Sequence, residues 1–487
     1  MTGNAVPAPI PPEPQTDKVG ISRLSVFNGG VILMTRQLLG YGLKLIGLFL
    51  ITRVLGPERY AAYVAAGSLI QYPVNMFLDG LNAYLVLGGQ ERTEDAERNV
   101  QSILAILATV IVLTILTFAG PLGDLTHIPD AGAVMVVLVF FVPFQLLMLP
   151  AYTRLERALE YRKIAGIELA GQVTYYAVAA PLVLNGGGAV SLAYGFVAQW
   201  VVSFFCTFFF TRMVPRLGFS WPVAVKIVRF ALSYSLVSWT WQLKTLINPL
   251  LVGPLLGANA LGIVGMANTV VDLSAFVKTI IYRICLAILG RCRDDMEKLR
   301  NAITYGLQFQ TLTVGIVLLG FSWFSGWIVP IAFGERWMPI LQIYPFIAFG
   351  FLTNALFNIH SAVLIAINRP FDVILFHLTY VSLFALVVAL AVPHFGLVGY
   401  GFGEIAAIPA YLLLHVYATR RVGSPDYQVG LIWLCGAGIG LFWREIGPWA
   451  IAAPFVALLM PPSIKLLADQ FSQLRDERKA KAHAQPA

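Results

Sequence analysis

The sequence predicts an all-α polytopic membrane protein of about fourteen transmembrane helices. Two six-helix lobes form a parallel pseudo-repeat, and two C-terminal helices follow. Three observations lead there. Of 487 residues, 58% are apolar and only 12% charged, about half the charge of an ordinary soluble domain, and the mean hydropathy is +0.76. A globular core cannot hide that much apolar surface. The basic residues lie overwhelmingly on one side of the implied spans. A short segment recurs at an offset that matches six spans.

The elements follow in chain order. Residues 1–28 read as a disordered cytoplasmic tail, with Pro7, Pro9, Pro11, Pro12 and Pro14 in a polar run that cannot pack. The tail lacks the basic start and short apolar core of a signal peptide, so the first hydrophobic segment is expected to act as a signal anchor. Spans are expected at 31–55, 60–87, 101–120, 132–152, 164–184, 189–211, 230–256, 261–288, 303–324, 339–367, 373–393, 399–419, 428–443 and 447–466. Each needs ~20 apolar residues to cross the bilayer. The N-lobe is 29–215 (helices 1–6) and the C-lobe 216–423 (helices 7–12). Helices 13–14 and a basic cytoplasmic tail occupy 424–487.

Charge sets the orientation. With the N-terminus in the cytoplasm, 24 of the 33 Lys and Arg residues fall on that side or at its helix ends. Arg36, Lys44, Lys244, Lys278 and Arg283 lie within spans and only Arg53, Arg59, Arg336 and Arg444 fall outside, which places both termini in the cytoplasm. The formal charge of +8 therefore reflects membrane topology, and no nucleic-acid partner is expected. The four cysteines, Cys206, Cys285, Cys292 and Cys435, have no metal or redox spacing and serve as apolar filler.

The repeat pairs LITRVLGP at 50–57 with LVGPLLGA at 251–258. At this offset of 201, Leu50 meets Leu251, Leu55 meets Leu256 and Gly56 meets Gly257. In each copy a long span ends at a glycine turn and a second span follows. Six intervening spans give the two halves parallel topology, a transporter architecture with the site expected between the lobes. No nucleotide-binding loop is present, nor any HExxH or GxSxG, and no long outer loop is available to carry catalysis. The chain reads as a transporter and not an enzyme.

The stretch LITRVLGPERYAAYVAAGSLIQ at 50–71 resembles the first-to-second helix turn of bacterial polysaccharide flippases, in the multidrug/oligosaccharidyl-lipid/polysaccharide flippase superfamily. Leu55, Gly56, Pro57, Glu58, Tyr60 and Tyr63 match the family pattern, while Ala61 and Ala62 depart from it. The resemblance implies an inner-membrane protein that flips an undecaprenyl-diphosphate-linked oligosaccharide to the periplasmic leaflet. Its product would feed exopolysaccharide, capsule or O-antigen assembly, alongside polymerase and chain-length partners. The alternatives are a multidrug exporter or a peptidoglycan-precursor flippase of the same superfamily.

Polar residues inside the spans mark the candidate site, because an ionisable group at the bilayer centre costs roughly 2.5–3.5 kcal/mol. Span 1 carries Arg36 and Lys44. Span 2 carries Gln71, Asn75, Asp79 and Asn82 on one helical face. Span 7 carries Ser238, Gln242, Thr245 and Asn248, with Lys244 beside the stripe. Span 8 carries Asn268, Asp272, Lys278 and Arg283. Span 10 adds Asn354, Asn358 and Ser361, with His360 nearby as a hydrogen-bonded core residue. Arg36, Lys44, Lys244, Lys278 and Arg283 against Asp79 and Asp272 leave a net charge of +3. That surplus suits a lipid diphosphate and disfavours a cationic drug. Gln71, Asn75 and Gln242 are expected to bind the glycan, with Tyr41, Tyr63 and Trp241 as aromatic platforms. Asp79 and Asp272 are candidate H+ or Na+ carriers or partners of the basic residues. No cofactor or metal is expected.

Overall fold

A computed structural model describes residues 23–87, 94–274, 278 and 295–468. In its first helix, side chains are described at 42, 47–49 and from 51 onward. The N-terminal tail, Arg283, Cys285, Cys292, the basic C-terminal tail, and the side chains of Arg36, Tyr41 and Lys44 lie outside the described residues. No strand occurs among the described residues, and the fold is all-α and polytopic.

Long apolar stretches close their backbone hydrogen bonds internally, as a bilayer requires. Helix α1 covers Arg23–Leu87 and breaks at Gly56. Then come α2 (Glu94–Thr126), α3 (Ala131–Leu138), α4 (Phe141–Leu147), α5 (Leu149–Arg157), α6 (Tyr161–Leu184) and α7 (Val190–Thr211). Helix α8 (Trp221–Ile247) runs through a π-helical turn, Asn248–Val252, into α9 (Gly253–Ser274). The rest are α10 (Met296–Ile328), α11 (Ile340–Ala366), α12 (Pro370–Phe395), α13 (Leu397–Ala406), α14 (Tyr411–Val422), α15 (Gln428–Leu441), α16 (Trp443–Ile446) and α17 (Ala452–Leu459).

Among the described residues, eight helices are long and apolar enough to cross a membrane, or ten with two bent pairs counted as spans. The described residues alone do not reach the expected fourteen. One bent pair is the fourth expected span, where α3–α4 meets α5 at 46°. Pro150 stands in the first turn of α5. It supplies no backbone N–H to the preceding turn and so favours a helix start there. The thirteenth expected span is the short helix α15, of 14 residues.

The two repeat copies share an unusual backbone. Gly56 has φ 69 and ψ 167, and Gly257 has φ 79 and ψ −177. Only glycine adopts this region readily. The equivalence at offset 201 is thus a matched pair of breaks, each turning one helix directly into the next.

The chain divides into two units. The first takes its described residues from Met1–Val54, Ala66–Asp124 and Asp130–Trp239, and the second from Leu55–Ala65, Leu125–Pro129 and Thr240–Ala487. In the first unit α6 and α7 pack through small residues. A Cβ on Gly171 would lie 2.4 Å from Ser203 Oγ, and one on Gly195 would lie 2.7 Å from Ala179 Cβ. Such close approach is how helices associate where lipid removes the hydrophobic drive. In the second unit the turn after Gly56 packs on α9: a Cβ on Gly262 would lie 1.9 Å from Pro57 O, and one on Gly265 would meet Val64 at 2.7 Å. Trp337, Tyr344, Tyr380, Tyr400 and Tyr411 are among the largest fully buried side chains.

Candidate functional site

Each unit carries its own polar cluster. In the first, Gln71, Asn75, Asp79 and Asn82 lie half-buried along the second arm of α1, at the expected helical spacing. Asp79 accepts a hydrogen bond from the Ser238 hydroxyl, and its charge reaches Tyr234. Thr153 donates to Asn82 Oδ1 at 3.2 Å. The helices come close here, since a Cβ on Gly80 would lie 2.1 Å from Ala231 O. Glu168 on α6 accepts from the Tyr152 hydroxyl at 2.7 Å. The charge tally from sequence omitted Glu168, although it is a carboxylate two turns inside an apolar span.

The second unit holds the denser network. Lys244 on α8 is half-buried; its Nζ lies 2.7 Å from Glu404 Oε1 and donates to Glu404 Oε2 at 2.9 Å. The Tyr380 hydroxyl donates to the same Oε2 at 3.0 Å. The ammonium also stands over two rings, 4.8 Å from the centre of Phe384 and 5.3 Å from that of Tyr380. Such contacts favour a partly desolvated cation.

Lys278 donates to Asn354 Oδ1 and stands 4.3 Å from the centre of the Phe351 ring. Asn354 in turn donates to the Tyr411 hydroxyl at 3.0 Å. Asp272 is exposed and acts electrostatically on Lys278, as does Lys244. Asn268 donates to the Tyr400 hydroxyl at 3.3 Å. Gln242 and Trp241 are half-buried on α8, and Trp241 stacks on Phe376 at 22° between ring planes.

Of the candidates read from sequence, Lys244, Lys278, Asp272 and Gln242 fall in the second unit, and Gln71, Asn75 and Asp79 in the first. Asp79 and Asp272 therefore belong to different clusters. Arg36, Lys44 and Arg283 lie outside the described side chains.

The net charge of +3 requires correction. Its tally left out Glu404, which is 1% exposed and is the direct partner of Lys244. Among the described membrane-embedded candidates of the second unit, two ammonium groups face two carboxylates, and Lys244 is not a free cation. Sequence reading also missed the tyrosines that frame the pair. His360 is a buried core residue, as expected from sequence. Its Nε2 lies 2.5 Å from the Tyr427 hydroxyl, and His415 Nδ1 lies 3.0 Å from the same hydroxyl.

Chemically, the second unit offers two ammonium groups on aromatic floors, one clamped by a carboxylate and one by an amide. That arrangement can exchange an internal anion for an external one. No group of three or more His, Cys, Asp or Glu suited to a metal occurs among the described residues.

The family described as polysaccharide biosynthesis protein matches residues 50–342. The succinoglycan biosynthesis transport protein ExoT of Rhizobium meliloti (strain 1021) is 24% identical over 308 residues, 62% of each chain. The lipopolysaccharide biosynthesis protein WzxC of Escherichia coli (strain K12) is 26% identical over 256 residues, 49% of each chain. The chain thus spans less than two thirds of the length of either relative. Among solved structures, the lipid II flippase MurJ in an inward closed conformation aligns with a TM-score of 0.70 at 14% identity, covering 91% of this chain and 100% of that one. An inward-facing multidrug resistance transporter of the MATE family aligns at 0.63 with 14% identity, covering 80% and 98%.

Proposed function

The chain belongs to this family of polysaccharide biosynthesis proteins, and on that premise we propose that it is a flippase for a polyprenyl-diphosphate-linked oligosaccharide. It moves an undecaprenyl-diphosphate-linked glycan from the cytoplasmic to the outer leaflet of the bacterial inner membrane by alternating access. The product serves exopolysaccharide, capsule or O-antigen assembly, and polymerase and chain-length proteins are its pathway partners. Both termini are cytoplasmic. The observation that carries this reading is the family match across more than half of the chain. The names of the two relatives, a succinoglycan transport protein and a lipopolysaccharide biosynthesis protein, support it. The likeness to the lipid II flippase and the multidrug transporter speaks to the fold and leaves the cargo to the family.

The headgroup binds Arg36, Lys44, Lys244, Lys278 and Arg283, arginine through forked hydrogen bonds and lysine as a movable point charge. Gln71, Asn75 and Gln242 hydrogen-bond the sugars. Asp79 and Asp272 are the sites for a coupling H+ or Na+, and the protein makes or breaks no bond in its cargo. The test is translocation in proteoliposomes. A lipid-linked oligosaccharide is placed in one leaflet and its exposure to an external glycosidase is followed. Native protein is expected to expose it, and Lys44→Ala/Lys244→Ala/Glu404→Gln, which leaves no stranded carboxylate, to lose that exposure at equal amounts of folded protein. Uptake of a cationic dye without glycan exposure would overturn the proposal in favour of a drug exporter.

A further inference from the structure

Glu404 is the one deeply buried carboxylate described in the second unit, and the function proposed above gives it no task. It sits on α13 against Gly350, where a Cβ would come within 2.9 Å of its Oε2. Lys244 faces it from α8 and Tyr380 from α12. Tyr400 on its own helix and Tyr411 on α14 feel its charge. Beyond them, Lys278 acts on Lys244, and Asp272 on Tyr400 and Lys278.

The pair is asymmetric. The Lys244 side chain retains 22% exposure, whereas that of Glu404 retains 1%. An incoming anion can therefore reach the ammonium from its open side, while the carboxylate stays behind it. The ammonium hydrogen-bonds Oε2 at 2.9 Å and stands 2.7 Å from Oε1 in an ion-pair contact without a hydrogen bond, so one cation meets two oxygens of one anion, as it would at a phosphate. The Phe384 and Tyr380 rings support the ammonium in either partnership.

We propose that Glu404 is an intramolecular stand-in for the substrate diphosphate, holding Lys244 in the empty protein and yielding it, with uptake of one proton, when the lipid diphosphate binds. The proposal rests on reading Lys244 as a headgroup ligand. The physical step is an exchange of partners. The diphosphate oxygens take the Lys244 ammonium, and Glu404 is left with the Tyr380 hydroxyl alone. An uncompensated carboxylate at that depth is strongly unfavourable, so a proton from solvent adds to its oxygen. On release of the lipid the proton leaves and the pair re-forms, so the empty site never holds a bare buried charge.

The experiment uses the full chain in nanodiscs, with undecaprenyl diphosphate as the probe and calorimetry in two buffers of different ionisation enthalpy. Native protein is expected to take up about one proton per lipid bound, because one carboxylate changes state. Glu404→Gln keeps the side-chain shape and removes the competitor. It is expected to bind about tenfold tighter, one decade in Kd, with no proton uptake. Lys244→Ala and Lys244→Ala/Glu404→Gln are expected to bind equally weakly, since Glu404 acts only through the lysine. Binding by native protein without proton uptake overturns the exchange. So does Glu404→Gln binding no tighter than native. If native protein binds no undecaprenyl diphosphate, the diphosphate reading itself falls, and the exchange falls with it. The proton count on the native chain keeps the test decisive even if a variant fails to fold.

Discussion

Gly262→Ala should destabilise the protein through one backbone contact. An alanine Cβ at 262 would stand 1.9 Å from Pro57 O and 2.6 Å from Pro57 C. Ordinary contact begins near 3.4 Å, so α9 and the turn after Gly56 must part by about 1.5 Å. A flexible side chain could rotate away, but the backbone carbonyl of Pro57, one residue after the glycine break, cannot. Overpacking of this kind costs about 3 kcal/mol at the upper end, and the helix propensity of alanine returns about 1 kcal/mol, leaving about 2 kcal/mol. Gly320→Ala, inside α10 with nothing within 4 Å of the added Cβ, is the control. It meets no neighbour and should gain up to about 1 kcal/mol. The assay is thermal unfolding of purified protein, read by loss of the monodisperse peak in size-exclusion chromatography. Gly262→Ala should melt about 4 °C below native, at roughly 2 °C per kcal/mol, and Gly320→Ala at or above native. Equal melting of Gly262→Ala and native would refute the reasoning, because it would mean that the helices separate there without cost.

Gly56→Ala and Gly257→Ala should each lose about 1–3 kcal/mol, since both occupy backbone that only glycine adopts readily. Gly257 has nothing within 4 Å of an added Cβ, so a melting loss there isolates backbone strain from crowding. Asp295 caps α10 by accepting from the Lys298 backbone N–H at 3.0 Å, and this bond, first among its causes, holds its carboxyl below the usual range. A depressed folded pKa gives stability above the unfolded value of about 3.9 that fades as pH falls through the folded value. Amide exchange over 296–299, corrected for intrinsic rate, should therefore rise selectively below about pH 4 in native protein, and Asp295→Ala should raise it at every pH. Lys244→Ala strands Glu404 and should cost about 3–5 kcal/mol, whereas Lys244→Ala/Glu404→Gln removes both charges and should recover most of it. The ranking of folded yield by fluorescence chromatography checks this.

The helices were legible because a membrane span is a local property: ~20 apolar residues suffice, and α2, α6, α7, α11 and α12 stand where the apolar runs stand. The glycine breaks were legible too, because LGP and its partner at offset 201 carry the conformational requirement in their own residues. The bend inside the fourth expected span was less legible, although Pro143 and Pro150 in FVPFQLLMLP were its signal. Glu404 was missed for a different reason. A lone carboxylate in GYGFGEIAAIP reads as one more polar residue until its partner is known. That partner lies 160 residues away. The Asn354–Tyr411 and Asn268–Tyr400 bonds span 57 and 132 residues. Pairings set by tertiary packing leave no periodic trace, so a tally of charges along the chain overstates how many are free.

The correction to that tally changes the physics of the second unit. A surplus of bare cations would attract a diphosphate strongly, but would also hold it strongly, and an empty site would carry uncompensated charge through every conformational change. Lys244 clamped by Glu404, and Lys278 clamped by Asn354 over the Phe351 ring, avoid both difficulties. In the folded protein each ammonium is partnered, which offsets part of the cost of roughly 2.5–3.5 kcal/mol per charge in the membrane. Under the proposed exchange, affinity for an anion would be the difference between two partnerships and not the full strength of one, a moderate difference of the kind that lets a transporter release what it binds. The aromatic floors matter for the same reason. Phe384 and Phe351 stabilise the cations without taking a hydrogen bond from them, while the Tyr380 hydroxyl also accepts from Lys244 at 3.4 Å; under the proposed exchange these contacts keep the ammonium in place while its partner changes.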